Sequence, residues 1–108
     1  MGQAHQRILQ EWRVRYWRGF PHHLTQRGVA RQQVFFSDTD YQVYLDLVGM
    51  HAQRFGTRLL GYCLMPNHVH WVVEPQEAVS LARTFGEAHG RYATYGNARL
   101  ARSGHFGK

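Results

Sequence analysis

Cysteine, lysine and acidic side chains are scarce in this chain of 108 residues. The single cysteine, Cys63, excludes an internal disulfide and a zinc site built from several cysteines. No run of about 18 apolar residues occurs, so no segment is predicted to span a membrane. The N-terminal residues lack the apolar region of a secretory signal. Together these absences lead us to expect a cytoplasmic protein with one domain.

Positive charge is in excess, and arginine carries nearly all of it. The 13 basic residues outnumber the 7 acidic ones, which gives a formal net charge of +6, and Lys108 is the one lysine. The planar guanidinium group of arginine binds phosphate oxygens in a bidentate manner and stacks on bases. The composition therefore favours a nucleic-acid partner, although arginine-rich proteins are also common in GC-rich genomes.

The chain divides into a basic extension over residues 1–20 and one domain over residues 21–108. The extension is rich in arginine and aromatic residues without a clear period. It is either an arm that follows phosphates or an irregular terminus. The domain begins with a strand candidate that ends at Gly28. A helix follows, with Ser37 as its N-cap and Gly56 as its C-terminal stop.

The second half of the domain is predicted to form two strands and a second helix. The strands are Thr57–Met65 and 68–74, joined by a turn at Pro66 and Asn67. The second helix is predicted to begin at the N-cap Ser80. The resulting order is β-α-β-β-α, which indicates an α+β sandwich of the ferredoxin-like kind whose final strand is missing.

His68 and His70 form the main chemical candidate. Alternate residues of a strand point to the same face, and residues two apart are about 6.6 Å apart, so both imidazoles can reach one metal ion. The chain has 8 histidines, and an isolated pair of this spacing often arises by chance. His22 and His23 are adjacent and face opposite ways, so that pair cannot chelate. Trp71 has the opposite parity to the histidines, which favours a core position.

The segment from Gly61 to Glu74, GYCLMPNHVHWVVE, resembles the signature of IS200-like transposases and of the related REP-associated tyrosine transposases. The resemblance extends upstream to PHHLTQRG and QQVFFSDTDYQVYLDLV, and downstream to RYATY and RSG. It implies a HUH-type nuclease in which His68 and His70 hold Mg or Mn. A tyrosine would attack a phosphate of single-stranded or hairpin DNA and form a 5′-phosphotyrosine.

The resemblance also shows what this sequence lacks. Relatives continue beyond the RSG segment with a strand and with a helix that supplies the nucleophile and a third metal ligand. The nucleophile is therefore expected beyond Lys108, and catalysis by this chain alone is doubtful. Tyr92 and Tyr95 are alternative nucleophiles within the chain, but their place on an apolar helix face favours the core. A homodimer is also implied, although its argument weakens without the tyrosine helix that subunits exchange.

Other residues around the histidines complete the predicted site. The candidates for phosphate contacts are Arg27, Arg31, Arg58 and Arg91. Glu74 shares the histidine face as a distant candidate ligand, whereas His89 and His105 are expected at the surface.

Three functions remain open from the sequence. The first is a transposase that cleaves and transfers DNA strands at the nucleoid. The second is a DNA-binding relic or repressor without catalysis. The third is an unrelated metalloenzyme with an H-x-H pair, which would need a third ligand and many short strands.

Overall fold

The computed structural model describes residues 5–8 and 21–103, where two helices pack on one face of an antiparallel sheet. The elements are β1 (His5–Ile8), β2 (His22–Arg27), a 3-10 turn (Val29–Arg31), α1 (Asp38–Phe55), β3 (Thr57–Met65), β4 (His68–Pro75) and α2 (Ala78–Ser103). The predicted α+β class, and the order β-α-β-β-α from residue 21 onward, are therefore confirmed. Neither described helix is long and apolar enough to cross a membrane.

The sheet has the strand order β1-β3-β4-β2, and every neighbouring pair is antiparallel. The strands before and after α1, β2 and β3, therefore run in the same direction with β4 between them. This split β-α-β arrangement is the basis of a ferredoxin-like unit. The assignment to a ferredoxin-like fold whose final strand is missing stays a prediction.

Strand β1 is an element that the sequence analysis did not predict. It pairs with the outer edge of β3, with His5 opposite Leu64 and Ile8 opposite Gly61. Part of the N-terminal extension thus belongs to the sheet. The rest of the extension and His105 lie outside the described residues.

Helix α1 has both ends that the sequence predicts. Ser37 is extended, and its hydroxyl accepts a hydrogen bond from the Asp40 N–H at 3.1 Å. Gly56 adopts a left-handed conformation with φ 80°, and its N–H donates to the Ala52 carbonyl at 3.0 Å. Glycine has no Cβ to strain that conformation, so it ends the helix at little cost.

Helix α2 begins earlier than predicted, at Ala78 rather than after Ser80. Ser80 lies in the first turn, where its hydroxyl accepts a hydrogen bond from the Glu77 N–H at 3.2 Å. Ser80 therefore occupies position N3 of the helix, and its side chain bonds the backbone N–H of the N-cap residue, as in a capping box. The helix also continues through Gly96 and Asn97, because Tyr95 and Arg99 on either side are both held by Asp40 of α1.

Trp71 lies at the centre of the core, as its parity predicts, and is 1% exposed. Its ring packs against Tyr44 of α1, Tyr62 of β3 and Phe85 of α2. Its Nε1 donates a hydrogen bond to Tyr44 Oη at 3.0 Å. One side chain thus joins both helices to the sheet.

His89 is half-buried, and the prediction that it lies at the surface is wrong. Its Nε2 lies 2.8 Å from Tyr44 Oη, and its ring packs on Tyr44 and Phe85. Trp71 donates to the same hydroxyl, so the Tyr44 proton finds an acceptor only when His89 Nε2 is unprotonated. Burial also lowers the pKa of His89 below its ordinary value, so the neutral ring is favoured.

We expect this contact to make the fold sensitive to acid. Because the folded pKa of His89 is lowered, the unfolded chain binds more protons below about pH 6.5, and stability falls as pH decreases from there. His89→Gln keeps an acceptor for Tyr44 but does not titrate, so it should lose less stability between pH 7.5 and pH 5. Thermal unfolding at both pH values measures the difference. An equal loss in both proteins would contradict this role of His89.

Candidate metal centre

The two histidines of β4 lie on the face of the sheet that the helices leave open. Val69, Trp71 and Val73 are buried beneath the helices, and the residues that alternate with them are half-buried. The ring centroids of His68 and His70 are 4.9 Å apart. The prediction that they share one face of a central strand is confirmed, and metal binding stays a prediction.

Both imidazoles are oriented through their Nδ1 atoms. His68 Nδ1 lies 2.8 Å from Asn67 Oδ1, and His70 Nδ1 lies 3.2 Å from Thr25 Oγ1. Metal-binding histidines in proteins are commonly held in this way, with the second ring nitrogen bonded to an oxygen. The arrangement leaves the Nε2 atoms of both rings available as ligands.

His23 is a third histidine on this face, and the sequence analysis did not connect it with the other two. Its ring stacks on that of His70 with a centroid distance of 5.5 Å. Burial lowers the pKa of His70, and neighbouring cationic groups lower it further, in the order His68, His23, Arg27. The neutral ring that a metal requires is therefore favoured.

The turn that carries His68 is held by the loop between β2 and α1. Pro66 O accepts hydrogen bonds from the N–H groups of Val34 and Phe35, at 2.7 and 3.2 Å. Asn67 O accepts one from the Gly28 N–H at 2.9 Å. A Cβ at Gly28 would collide with the Gln32 carbonyl oxygen, so this close approach requires glycine. The loop therefore fixes the position of the first histidine.

Two of the four predicted phosphate contacts lie beside His68. Arg27 pairs with His68 in the register of β2 and β4. Arg31 is exposed, has a left-handed backbone with φ 62°, and its carbonyl accepts a hydrogen bond from Asn67 Nδ2 at 3.5 Å. Arg27 is thus on the strand that pairs with β4, and Arg31 is on the loop that is bonded to Asn67, next to His68.

The other two arginines are placed differently. Arg58 forms an ion pair with Glu74, with 2.9 Å between Nη1 and Oε1, so the charge of each is largely compensated. Arg91 is exposed on α2, which packs on the opposite face of the sheet from the histidines. The structure therefore does not bring Arg58 and Arg91 to the histidine pair as free charges.

A third protein ligand is not found in the part of the chain that the structure describes. No group of three or more His, Cys, Asp or Glu residues suited to one metal ion occurs there. Glu74, the distant candidate on the same face, is engaged by Arg58. Among the described residues, His68 and His70 are therefore the candidate ligands, with His23 stacked beside His70.

The hydroxyl groups of the candidate nucleophiles Tyr92 and Tyr95 both form hydrogen bonds within the protein. Tyr92 Oη donates to the Val34 carbonyl at 2.6 Å, and Tyr95 Oη donates to Asp40 Oδ1 at 2.7 Å. Burial, followed by the charge of Asp40, raises the pKa of Tyr92 above its ordinary value, which disfavours the phenolate. Both hydroxyls are thus bonded to groups of helix α1 and of the loop before it.

A groove of about 360 Å³ connects the histidine end of the sheet with the C-terminal half of α2. His68, Arg27 and Arg99 contribute to the lining of the groove, and Arg99 is paired with Asp40. Phe35 and Tyr92 also line it. The groove thus places the first histidine next to aromatic side chains of the core.

The family profile described as Transposase IS200 like matches residues 18–106. No curated protein and no solved structure matches the chain. The match covers the strands β2 to β4, both helices and the histidine pair. This chain belongs to the IS200-like transposase family.

Proposed function

We propose that this chain binds single-stranded or hairpin DNA during transposition and holds a divalent metal, Mg or Mn, between His68 and His70. The observation that carries the proposal is the pair of imidazoles on the open face, with both Nδ1 atoms engaged and both Nε2 atoms available. Because the chain belongs to the IS200-like transposase family, we infer that the scissile phosphate binds at this face. DNA as substrate locates this activity in the cytoplasm, at the nucleoid.

The donor set fits a divalent ion, but incompletely. Mg and Mn favour shells rich in oxygen, so two imidazole nitrogens alone should hold them weakly. The remaining positions would be filled by water and by oxygens of the phosphate. When bound, the ion would polarise the scissile phosphate and stabilise the leaving oxygen.

The protein's own groups supply the rest of the proposed site. Arg27 and Arg31, on elements next to His68, would contact backbone phosphates of the DNA through charge-assisted hydrogen bonds. Thr25 keeps the His70 ring in orientation. These contacts position the strand, and position is a large part of phosphoryl-transfer catalysis.

We propose further that neither Tyr92 nor Tyr95 is the nucleophile, because attack requires a hydroxyl about 3–3.5 Å from the phosphorus. Both hydroxyls are instead held in the core by Val34 and Asp40. Strand cleavage then requires a tyrosine other than these two, from this chain or from a second subunit. Without one, the chain binds DNA as a relic or a repressor would.

We expect the chain to bind DNA but to form no covalent protein–DNA adduct through Tyr92 or Tyr95. The chain is incubated with Mn²⁺ and a labelled hairpin oligonucleotide, and the mixture is run on a native and on a denaturing gel. The native gel should show a complex, weaker with a blunt duplex of the same sequence. A band that survives boiling and disappears in Tyr92→Phe or Tyr95→Phe would contradict the assignment. Absence of a native complex would contradict DNA binding itself.

A further inference from the structure

Two arginines converge on one aromatic ring at the far end of the molecule from the histidine pair. The guanidinium carbons of Arg54, in the last turn of α1, and of Arg83, in α2, each lie 5.3 Å from the centroid of the Phe55 ring. Since each is 5.3 Å from the same centroid, the two guanidinium carbons are separated by at most twice 5.3 Å. Both arginines are exposed, and Phe55 is half-buried.

Neither of these two cations has an acidic partner within residues 21–103. The ion pairs found there are those of Arg58 with Glu74 and of Arg99 with Asp40. The face of an aromatic ring attracts a cation by about 0.5–1 kcal/mol at an exposed site, and two like charges oppose each other. An anion bound between the two guanidinium groups would relieve this repulsion.

The position of the pair relative to the histidines follows from the sheet. Phe55 is followed by Gly56 and by Thr57, which begins β3 and pairs with Pro75 at the end of β4. His68 begins the same strand β4. At about 3.3 Å per residue, the two ends of β4 are about 23 Å apart. Along a stacked strand with about 3.4 Å per nucleotide, this separation corresponds to about seven nucleotides.

We propose that Arg54 and Arg83, on the helical side of the sheet, form a phosphate clamp, a second backbone contact for DNA that leaves the histidine face past the Pro75 end of β4. The proposal rests on the DNA-binding function and adds to it the extent of the DNA surface. A phosphodiester is favoured over an acidic peptide because the chain belongs to the IS200-like transposase family, for which DNA is the proposed ligand. The Phe55 ring lies 5.3 Å from both guanidinium carbons and so keeps the two forks near each other.

The clamp is tested through the salt dependence of DNA binding. Fluorescence anisotropy with labelled dT20 is recorded over a range of KCl concentrations for the unchanged chain, Arg54→Gln and Arg83→Gln. Each phosphate contact contributes about 0.7 to the slope of log affinity against log salt on a single strand. We therefore expect each variant to reduce the slope by about 0.7.

Ala98→Glu is the matched control. It also lowers the net charge by one, at an exposed position of α2 that is 15 residues from Arg83. A clamp predicts that this control keeps the slope of the unchanged chain. An equal reduction in all three variants would show a general charge effect and overturn the clamp.

Other outcomes separate the clamp from the function on which it rests. Normal dT20 binding with unchanged slopes in Arg54→Gln and Arg83→Gln would overturn the clamp and leave DNA binding intact. Loss of binding to a labelled polyglutamate in these variants, with unchanged dT20 binding, would assign the pair to an acidic protein partner instead. Failure of the unchanged chain to bind dT20 would overturn both proposals.

Discussion

Trp71→Ala is expected to lower the free energy of unfolding by about 3–5 kcal/mol, the usual cost of removing a large aromatic ring from a core. Trp71 is 1% exposed and contacts both helices and the neighbouring strand. A domain of this size has a total stability of about 5–15 kcal/mol, so the loss is a large part of the total and the variant should unfold at a much lower urea concentration. Urea denaturation followed by circular dichroism measures the loss.

Trp71→Phe is the control that separates packing from recognition. It keeps an aromatic ring but removes the N–H that bonds to Tyr44, so it should cost much less than Trp71→Ala. Because Trp71 faces the helices rather than the histidine side, the folded phenylalanine variant should bind DNA as the unchanged chain does. Strong loss of DNA affinity at unchanged stability would show instead that Trp71 is a stacking platform for bases.

Local features of the sequence determined the parts of the fold that could be predicted. Ser37 and Gly56 mark the ends of α1 because their side chain and backbone preferences act within a few residues. The alternation of β4 likewise depends on neighbouring residues only, which is why the shared face of His68 and His70 was predictable. Ser80 could be recognised as a capping residue from the sequence, but its position inside the first turn, rather than before the helix, could not.

Contacts between distant parts of the chain were not predictable from the pattern. The stacking of His23 on His70 depends on the register between β2 and β4. Likewise, the pairing of Arg58 with Glu74 depends on the register of β3, which shifts by a bulge between Leu59 and Gly61. His89 was misjudged because its partner, Tyr44, is 45 residues away.

The arginines show the same limit for function. The excess of positive charge indicated a nucleic-acid partner, but composition does not say which guanidinium groups are free. Of the predicted phosphate contacts, Arg27 and Arg31 lie beside His68, whereas Arg58 forms an ion pair with Glu74. Arg54 and Arg83 were missed because their convergence on Phe55 requires the packing of α1 against α2.

The central claim is that His68 and His70 together hold the divalent ion. Loss of groups that only orient a metal ligand commonly costs 10–100-fold in affinity, so loss of a ligand itself should cost at least about 100-fold. We therefore expect His68→Ala and His70→Ala each to abolish saturable Mn²⁺ binding in the presence of a single-stranded oligonucleotide. The oligonucleotide is included because its phosphate oxygens complete the shell.

His22→Ala is the matched control, since His22 precedes His23 on β2 and has the opposite parity to the histidine face. The most direct measurement is the electron paramagnetic resonance signal of free Mn²⁺ during a titration of each protein with its oligonucleotide. We expect saturable binding beyond that of the oligonucleotide alone in the unchanged chain and in His22→Ala, and none beyond it in His68→Ala or His70→Ala. Undiminished Mn²⁺ binding in the double variant His68→Ala/His70→Ala would contradict it.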